Sequence, residues 1–364
     1  MSKRFAHILM MALMLMGAAA CHRRPLEDPN EVVKIAIKVN VKSVINVNAN
    51  IRSSIKLYNS NTTLWEPKVS QLDPQMMRVL VYDPSSERLL TQSFISATTS
   101  DEDGQKVFTG NLGISHGDYN FLVYNFDTPT TQVTYENNEE SILAYTDEIS
   151  PAQKARLLGF TKADDVDPYA GTSIHYEPEH LLVANEKNVR ISPHDTVVVV
   201  ETVATSIIDT YYLQIRVKGL QFASEATAVI TGLSPSNHIG NNIRTVDPTA
   251  AVVFDLHKGY DESLDGENKD VLCAVFNTFG KIENITSNLH VTFNVVDTAG
   301  NLLQYDANMD TVFDSELAHL YHWLIIEDAI IDIPDPGNGQ QNTGNGGFQP
   351  TVDDWQEEHG EIAL

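Results

Sequence analysis

An alternation of period two runs through this chain and decides what it can become. Val33, Ile35, Ile37, Val39 and Val41 are separated by Lys34, Ala36, Lys38 and Asn40, and Lys42 follows. Successive side chains of an extended strand point to opposite faces, so this pattern makes a strand with one buried and one wet face. The alternation returns at 119–123, 211–217 and 291–295. Further strands are expected at 77–82, 89–95, 197–203, 226–232, 251–256, 271–276, 302–305 and 323–333. Turn-forming residues separate them, such as Asp83-Pro84-Ser85-Ser86, His116-Gly117-Asp118 and Ala299-Gly300-Asn301. Helical signals are few. Ser150-Pro151 ahead of 152–158, with Gly159 behind, reads as a short helix with a cap, a first-turn proline and a glycine stop. A second helix is expected over 315–319. Many short strands with turns between them imply an all-β fold built from β-sandwiches.

With 364 residues, two domains are the natural expectation. The strand-dense blocks divide into an N-terminal β-sandwich over 32–204 and a C-terminal one over 205–333. The short helix and the polar stretch 127–180 read as an insertion in the first. The run 197–208 is itself largely apolar, so the two blocks are expected to be joined by nearly continuous strand. From Pro334 to Gly347 the chain becomes a Gly/Asn/Pro-rich linker. Residues 334–364 therefore read as linker and C-terminal peptide. Phe348 and Trp355 within it are candidates for docking on a surface, and the competing reading is a solvated tail.

The first residues read as an address. Lys3 and Arg4 precede a mostly apolar run over 5–17, too short to span a bilayer of about 30 Å stably. Ala18-Ala19-Ala20 then stands before Cys21. These are the parts of a secretory signal peptide, 1–20. A cysteine directly after the small residues resembles a bacterial lipoprotein signal, which would lipidate Cys21 and leave 21–31 as a tether. The plainer reading is an ordinary signal peptide with an incidental cysteine. Acyl chains contribute about 0.8 kcal/mol per buried CH₂ to membrane attachment. Removing 1–20 leaves 22 basic against 49 acidic residues, a formal charge of −27. Such a field repels phosphate backbones, so no nucleic-acid partner is expected. Two cysteines exclude a disulfide scaffold and a Cys-based zinc site, and Cys273 is expected to be a small core residue.

No constellation rises above background as catalytic, so no enzyme is expected, nor a cofactor or metal. Gly232-Leu233-Ser234-Pro235-Ser236 starts like a nucleophile elbow but lacks the last glycine, and reads as a strand-ending turn. His175-Tyr176-Glu177-Pro178-Glu179-His180 gathers metal-ligand types, yet Pro178 opposes the helix that would align the histidines. It reads as a polar surface loop. His319 and His322 sit at helical spacing without an evident third ligand. Asp261-Glu262-Ser263-Leu264-Asp265-Gly266 imitates a calcium loop, but Leu272 stands where the bidentate acid belongs. Trp323 reads as core. Trp65 and Trp355 stay undecided between exposed and packed.

Several stretches stand out together: Cys21 followed by His22-Arg23-Arg24-Pro25, the stretch from Gly117 to Tyr124, the stretch from Ala228 to Ser234, and Phe279-Gly280. Ile331-Asp332-Ile333-Pro334 and the end Gly346-Gly347-Phe348…Val352-Asp353-Asp354-Trp355 complete the set. In these stretches and their order the chain resembles the accessory and anchor lipoproteins of Bacteroidales-type fimbriae. The resemblance implies two tandem transthyretin-like, Greek-key β-sandwich domains, with the short helical insertion in the first. It also implies a role in pilus assembly and cell adhesion, with fimbrial structural subunits as partners. The location it implies is the outer membrane, through the lipid on Cys21. Polymerising subunits of that class accept a neighbour's extended segment as an added strand, which satisfies exposed backbone groups and apolar pockets together. Val33, Ile35, Ile37, Val39 and Val41 are then the strand-exchange candidates. Arg52 marks a place where proteolysis would release that strand, and an anchor is expected to keep it. The alternative function is a surface lipoprotein that binds glycans or another host ligand.

Overall fold

The computed structural model describes residues 32–41, 54–58, 74–100, 106–157, 172–246, 248–282 and 289–337. The all-β expectation holds: the described residues form 21 strands and a few short helices.

The first body is a ring. It uses β1 (Val32–Val41), β3 (Met76–Tyr82), β4 (Leu89–Ser100), β5 (Lys106–Ser115), β6 (Gly117–Tyr124), β10 (Leu182–Ile191) and β11 (Val197–Ser206). Pairing runs β1-β11-β10-β6-β3-β4-β5 and returns to β1, a closed barrel. Two separate sheets of a sandwich would each leave edges, and this circuit leaves none. Ile35, Ile37, Val79, Val81, Phe108, Phe121 and Val123 fill its interior.

The second body is a sandwich of two five-stranded sheets. One orders β2 (Ile55–Leu57), β17 (His257–Asp261), β18 (Asp270–Thr278), β12 (Asp209–Lys218) and β21 (Trp323–Asp332). The other orders β20 (Leu302–Asn308), β19 (His290–Asp297), β13 (Ala223–Leu233), β16 (Ala250–Asp255) and β9 (Ile174–His175). Leu213, Ile215, Phe276 and Leu324 from the first sheet meet Ile230, Phe254, Phe293 and Val295 from the second. Phe254 and Phe276 stack across the gap with ring centroids 4.3 Å apart.

The two bodies do not keep their strands to themselves. β2 and β9 precede β12 in the chain, yet each pairs in a sheet of the sandwich. A third sheet mixes both halves: β7 (Thr131–Thr134) and β8 (Leu143–Thr146) pair onward to β14 (Ser236–His238) and β15 (Ile243–Arg244). The stretch 127–180, expected as an insertion in the first block, thus supplies strands on which the second block builds. Its helix α1 (Pro151–Leu157) opens as the sequence implies. The Gln153 N–H donates to Ser150 Oγ (3.2 Å) and the Ser150 N–H to Gln153 Oε1 (3.1 Å), a reciprocal cap. Two more short helices, α2 (Asp310–Phe313) and α3 (Glu316–Tyr321), precede β21.

A core of its own binds the bodies together. In β3 and β6 burial is nearly continuous rather than alternating, because both faces are covered. One face fills the barrel. The other presents Leu80, Tyr82, Leu122 and Tyr124 to Ile142, Ile207, Ile208, Ile239 and Phe279. Polar stitches flank this core. Asn185 Nδ2 donates to the carbonyls of Ile239 (3.1 Å) and Gly240 (2.9 Å). Lys187 Nζ reaches Glu139 and the Gly240 carbonyl, and Glu139 also accepts from Asn120 Nδ2 (2.6 Å).

Candidate functional site

The strand-exchange candidates of the sequence fall on β1, and the barrel places β1 between two strands far away in the chain. On one side it runs parallel to β11, with Lys34 to Val41 opposite Val197 to Ala204. On the other it runs antiparallel to β5, with Val32 to Asn40 opposite Ser115 to Val107. Neither neighbour is joined to it by a hairpin. A strand held this way is fixed by register and burial rather than by a turn.

Val33, Ile35 and Ile37 point into the barrel and are almost fully buried, Ile35 completely. Each such side chain contributes about 1.5–3 kcal/mol relative to exposure. Val39 and Val41 continue the register opposite Thr202 and Ala204, but their side chains lie outside the described residues. Without β1, the facing edges of β5 and β11 would bare their backbone N–H and C=O groups beside an apolar slot. That is the chemistry an extended peptide satisfies.

The slot is shaped by glycines. A Cβ on Gly110 of β5 would sit 2.4 Å from Ile95 Cγ2, and one on Gly113 would sit 2.8 Å from Val32 Cγ1. Both glycines let β5 pack closely against its neighbours. The outer surface of β11 carries Val197, Val199 and Val203, and Val199 is 59% exposed. Register places Lys34 beside Val197 and Ala36 beside Val199. The sequence marked 197–203 as strand but could not show that these valines face outward.

Downstream of β1 the chain is clipped to the sandwich. β2 pairs antiparallel with β17, Ile55 opposite Asp261 and Leu57 opposite Gly259. The Glu262 N–H donates to the Ser54 carbonyl (2.9 Å). Asp261 is fully buried. Burial raises its pKa, but hydrogen bonds from Ser263 and Gln214 outweigh that and hold the carboxyl below its ordinary value. This residue, read as the start of a failed calcium loop, anchors a turn: its Oδ1 accepts from the Ser263 N–H (2.9 Å).

The other marked residues are structural where they are described. His180 is 3% exposed, so 175–180 is not the solvated loop expected from its polarity. Its Nδ1 lies 2.9 Å from Ser206 Oγ and its Nε2 3.1 Å from Thr210 Oγ1. Glu177 accepts from the Asn277 N–H (2.7 Å) and Glu179 from the Thr130 N–H (3.0 Å). Polarity alone implies a wet loop here, but the partners of these side chains lie on remote strands, β11, β12 and β18 among them. Ser234 is buried, with its Oγ 2.8 Å from the carbonyl oxygens of both Ser236 and Thr245, so its one proton is shared between two backbone acceptors. His322 caps α3 in a left-handed conformation and stacks on Tyr211, while His319 is exposed. Cys273 is buried, which pushes its thiol up to about 12. Trp323 is half-buried and packs on the outer face of its sheet beside Tyr212 and Cys273. Among the described residues no three metal-ligating side chains converge. Cys21, Arg52, Trp65, Phe348 and Trp355 lie outside the described residues.

Comparison with known proteins agrees with the resemblance drawn from sequence. The family model described as "Domain of unknown function (DUF5119)" matches residues 62–255. That span begins after β1 and β2 and ends with β16, so it contains strands of both bodies. A Bacteroides ovatus protein named "Putative fimbrium anchoring subunit Fim4B" is 22% identical over 283 residues, covering 78% of this chain and 67% of that protein. A crystal structure of "a putative adhesin" from Bacteroides ovatus superposes with a TM-score of 0.54 at 17% identity, covering 87% of this chain and 98% of that one. The fimbrial anchor protein Mfa2 from Porphyromonas gingivalis gives a TM-score of 0.44 at 8% identity, over 81% of this chain and 88% of that one.

Proposed function

We propose, for a chain that belongs to the DUF5119 family, that it is a fimbrial accessory subunit of the anchoring type. Its work is attachment: a tether at one end, and a β-rich body that holds fibre subunits at the cell surface. The role is mechanical rather than enzymatic. The relative named as an anchoring subunit supports this reading, and one structural observation carries it. β1, which follows the tether, is an interior strand of a closed barrel, paired along both edges. Tension arriving from Cys21 would pull β1 along its own axis and load both rows of hydrogen bonds together. The shared core and the exchanged strands β2 and β9 would then pass the load to the sandwich.

In this proposal Cys21 is lipidated and holds the protein to the outer membrane. Val33, Ile35, Ile37, Val39 and Val41 stay in the groove as the resident strand. Phe348 and Trp355 dock the tail. Replacing Cys21 by Ser tests the tether. The variant is expected to leave the membrane fraction for the soluble fraction, while the wild type co-purifies with fibre subunits. Unchanged fractionation together with no fibre subunit in the wild-type eluate would refute the reading.

A further inference from the structure

β6 and β10 pair antiparallel, and their ladder breaks where Lys187 and Asn188 together stand opposite Asn120. Asn188 takes a left-handed conformation there, with φ 55°. A bulge of this kind re-aims the groups of the strand that carries it. The Asn188 N–H donates to Asn120 Oδ1 (2.8 Å), and the Lys187 ammonium donates to Glu139 Oε1.

Glu139 holds an amine and an amide at once. Its Oε1 accepts from Lys187 Nζ and its Oε2 from Asn120 Nδ2 (2.6 Å). Glu139 is 2% exposed and Asn120 6%. The Lys187 side chain is part exposed, yet its ammonium is held at both Glu139 and the Gly240 carbonyl (3.0 Å). An ion pair alone requires only Lys187 and Glu139. Here the same carboxylate also carries the Asn120 amide, and the amide oxygen has an N–H of its own. A nucleophile, a proton carrier within reach of nucleophile and leaving group, and a donor on the carbonyl oxygen are what aminolysis of an amide requires.

We propose that Lys187 and Asn120 form an intramolecular isopeptide bond, with Glu139 as the proton carrier. Burial disfavours the separate charges, and transfer of a proton from the ammonium to Glu139 leaves two neutral groups. The lone pair of Nζ then forms a bond to Asn120 Cγ. Negative charge gathers on Oδ1, where the Asn188 N–H receives it. The Cγ–Nδ2 bond breaks as Glu139 gives its proton to Nδ2 and takes one from Nζ. Ammonia leaves with three hydrogens, one hydrogen stays on the new amide nitrogen, and the last, on Glu139, departs with ammonia as ammonium. Nothing is oxidised or reduced. The bond ties β6 to β10 across the break in their ladder. It is independent of the anchoring role, since it concerns this chain alone.

The test is peptide mapping of the full mature chain, purified from its own cells, denatured and digested with trypsin. Cleavage after Lys and Arg gives an unlinked chain the separate peptides 107–154 and 163–187. The linked chain is expected to give 107–154 joined to 163–190 as one branched peptide, lighter than the sum of its parts by about 17 Da, the mass of ammonia. Lys187→Arg keeps the charge pair and removes the nucleophile, and is expected to lose the branched peptide completely. Glu139→Gln is expected to lose it too, with the circular dichroism of wild type. Lys187→Arg alters a part-exposed side chain, which keeps the test sound if Glu139→Gln misfolds. The proposal is overturned if the wild type yields no branched peptide. It is equally overturned if the loss of ammonia persists in Lys187→Arg, which would mark closure of Asn120 on its own backbone, or if folded Glu139→Gln still carries the branched peptide.

Discussion

The barrel and the sandwich solve the problem of sheet edges in different ways. The barrel pairs every strand on both sides, and it does so by taking in β1. The sandwich stays open. Two of its four edges are covered by borrowed strands, β2 and β9. The other two, β20 and β21, defend themselves. β21 bulges between Ile326 and Ile330, where Glu327 and Asp328 are exposed, and β20 presents Gln304, Asp306 and Asn308 outward. Bulges and charges of this kind discourage pairing with another chain. The body with no edge therefore depends on a single early segment, and the body with edges does not.

The sharpest way to break this contrast is to remove β1. A chain beginning at Ser53 keeps β2 and its clip to β17. Hydrogen exchange in β5 and β11 is expected to accelerate by about two orders of magnitude or more, while β13 and β19 stay within a few-fold of the intact chain. A synthetic 31–42 peptide is expected to restore protection. Equal loss in both bodies would show that the barrel has no special dependence on β1.

A second substitution asks whether the two bodies act as one. Leu122→Ala hollows the core they share. It is expected to cost about 2–5 kcal/mol and to lower a single unfolding transition seen by probes in both bodies. Two transitions, only one of them shifted, would mean that the bodies are independent.

Acid separates the sandwich from the junction by a smaller effect. Asp297 is buried, which raises its pKa, but hydrogen bonds from Asn301 and the 299–301 backbone hold it below the ordinary 3.8, as with Asp261. For a lowered carboxyl the stabilisation is complete above 3.8 and is lost as pH falls through the folded value. Asp209, at the junction, has the opposite sign. Burial raises it, and the attraction of Arg244 at 2.7 Å offsets this only in part. Its ionised form penalises the folded state, and the penalty fades as pH falls toward 3.8. Urea midpoints are therefore expected to hold or rise on mild acidification and to fall below pH 3.8. Asn at both 261 and 297 should flatten the lower limb, and an unaltered limb would contradict the assignment.

Much of the fold was legible because period two is a local signal. β1, β3, β12, β19 and α1 with its cap stand in the letters. β5 was not singled out, because Gly110 and Gly113 dilute its strand character, and only the positions of Ile95 and Val32 explain them. β10 was missed because a bulge between Glu186 and Val189, with Asn188 at φ 55°, shifts the alternation midway. Which strands pair was not legible at all. β9 meets β16 across about eighty residues, and no local pattern encodes that. The same holds for the candidate site. The apolar face of β1 was readable, whereas the slot that receives it and the cluster at Glu139 exist only after remote strands meet.

The account rests on the chain keeping its first strand in the barrel, with a tether ahead of it. Intact-mass analysis of protein extracted from the membranes of its own cells reads this directly. The account predicts a mature chain that begins at Cys21 and carries acyl mass. A chain beginning at Ser53, with β1 cut away after Arg52, would contradict it.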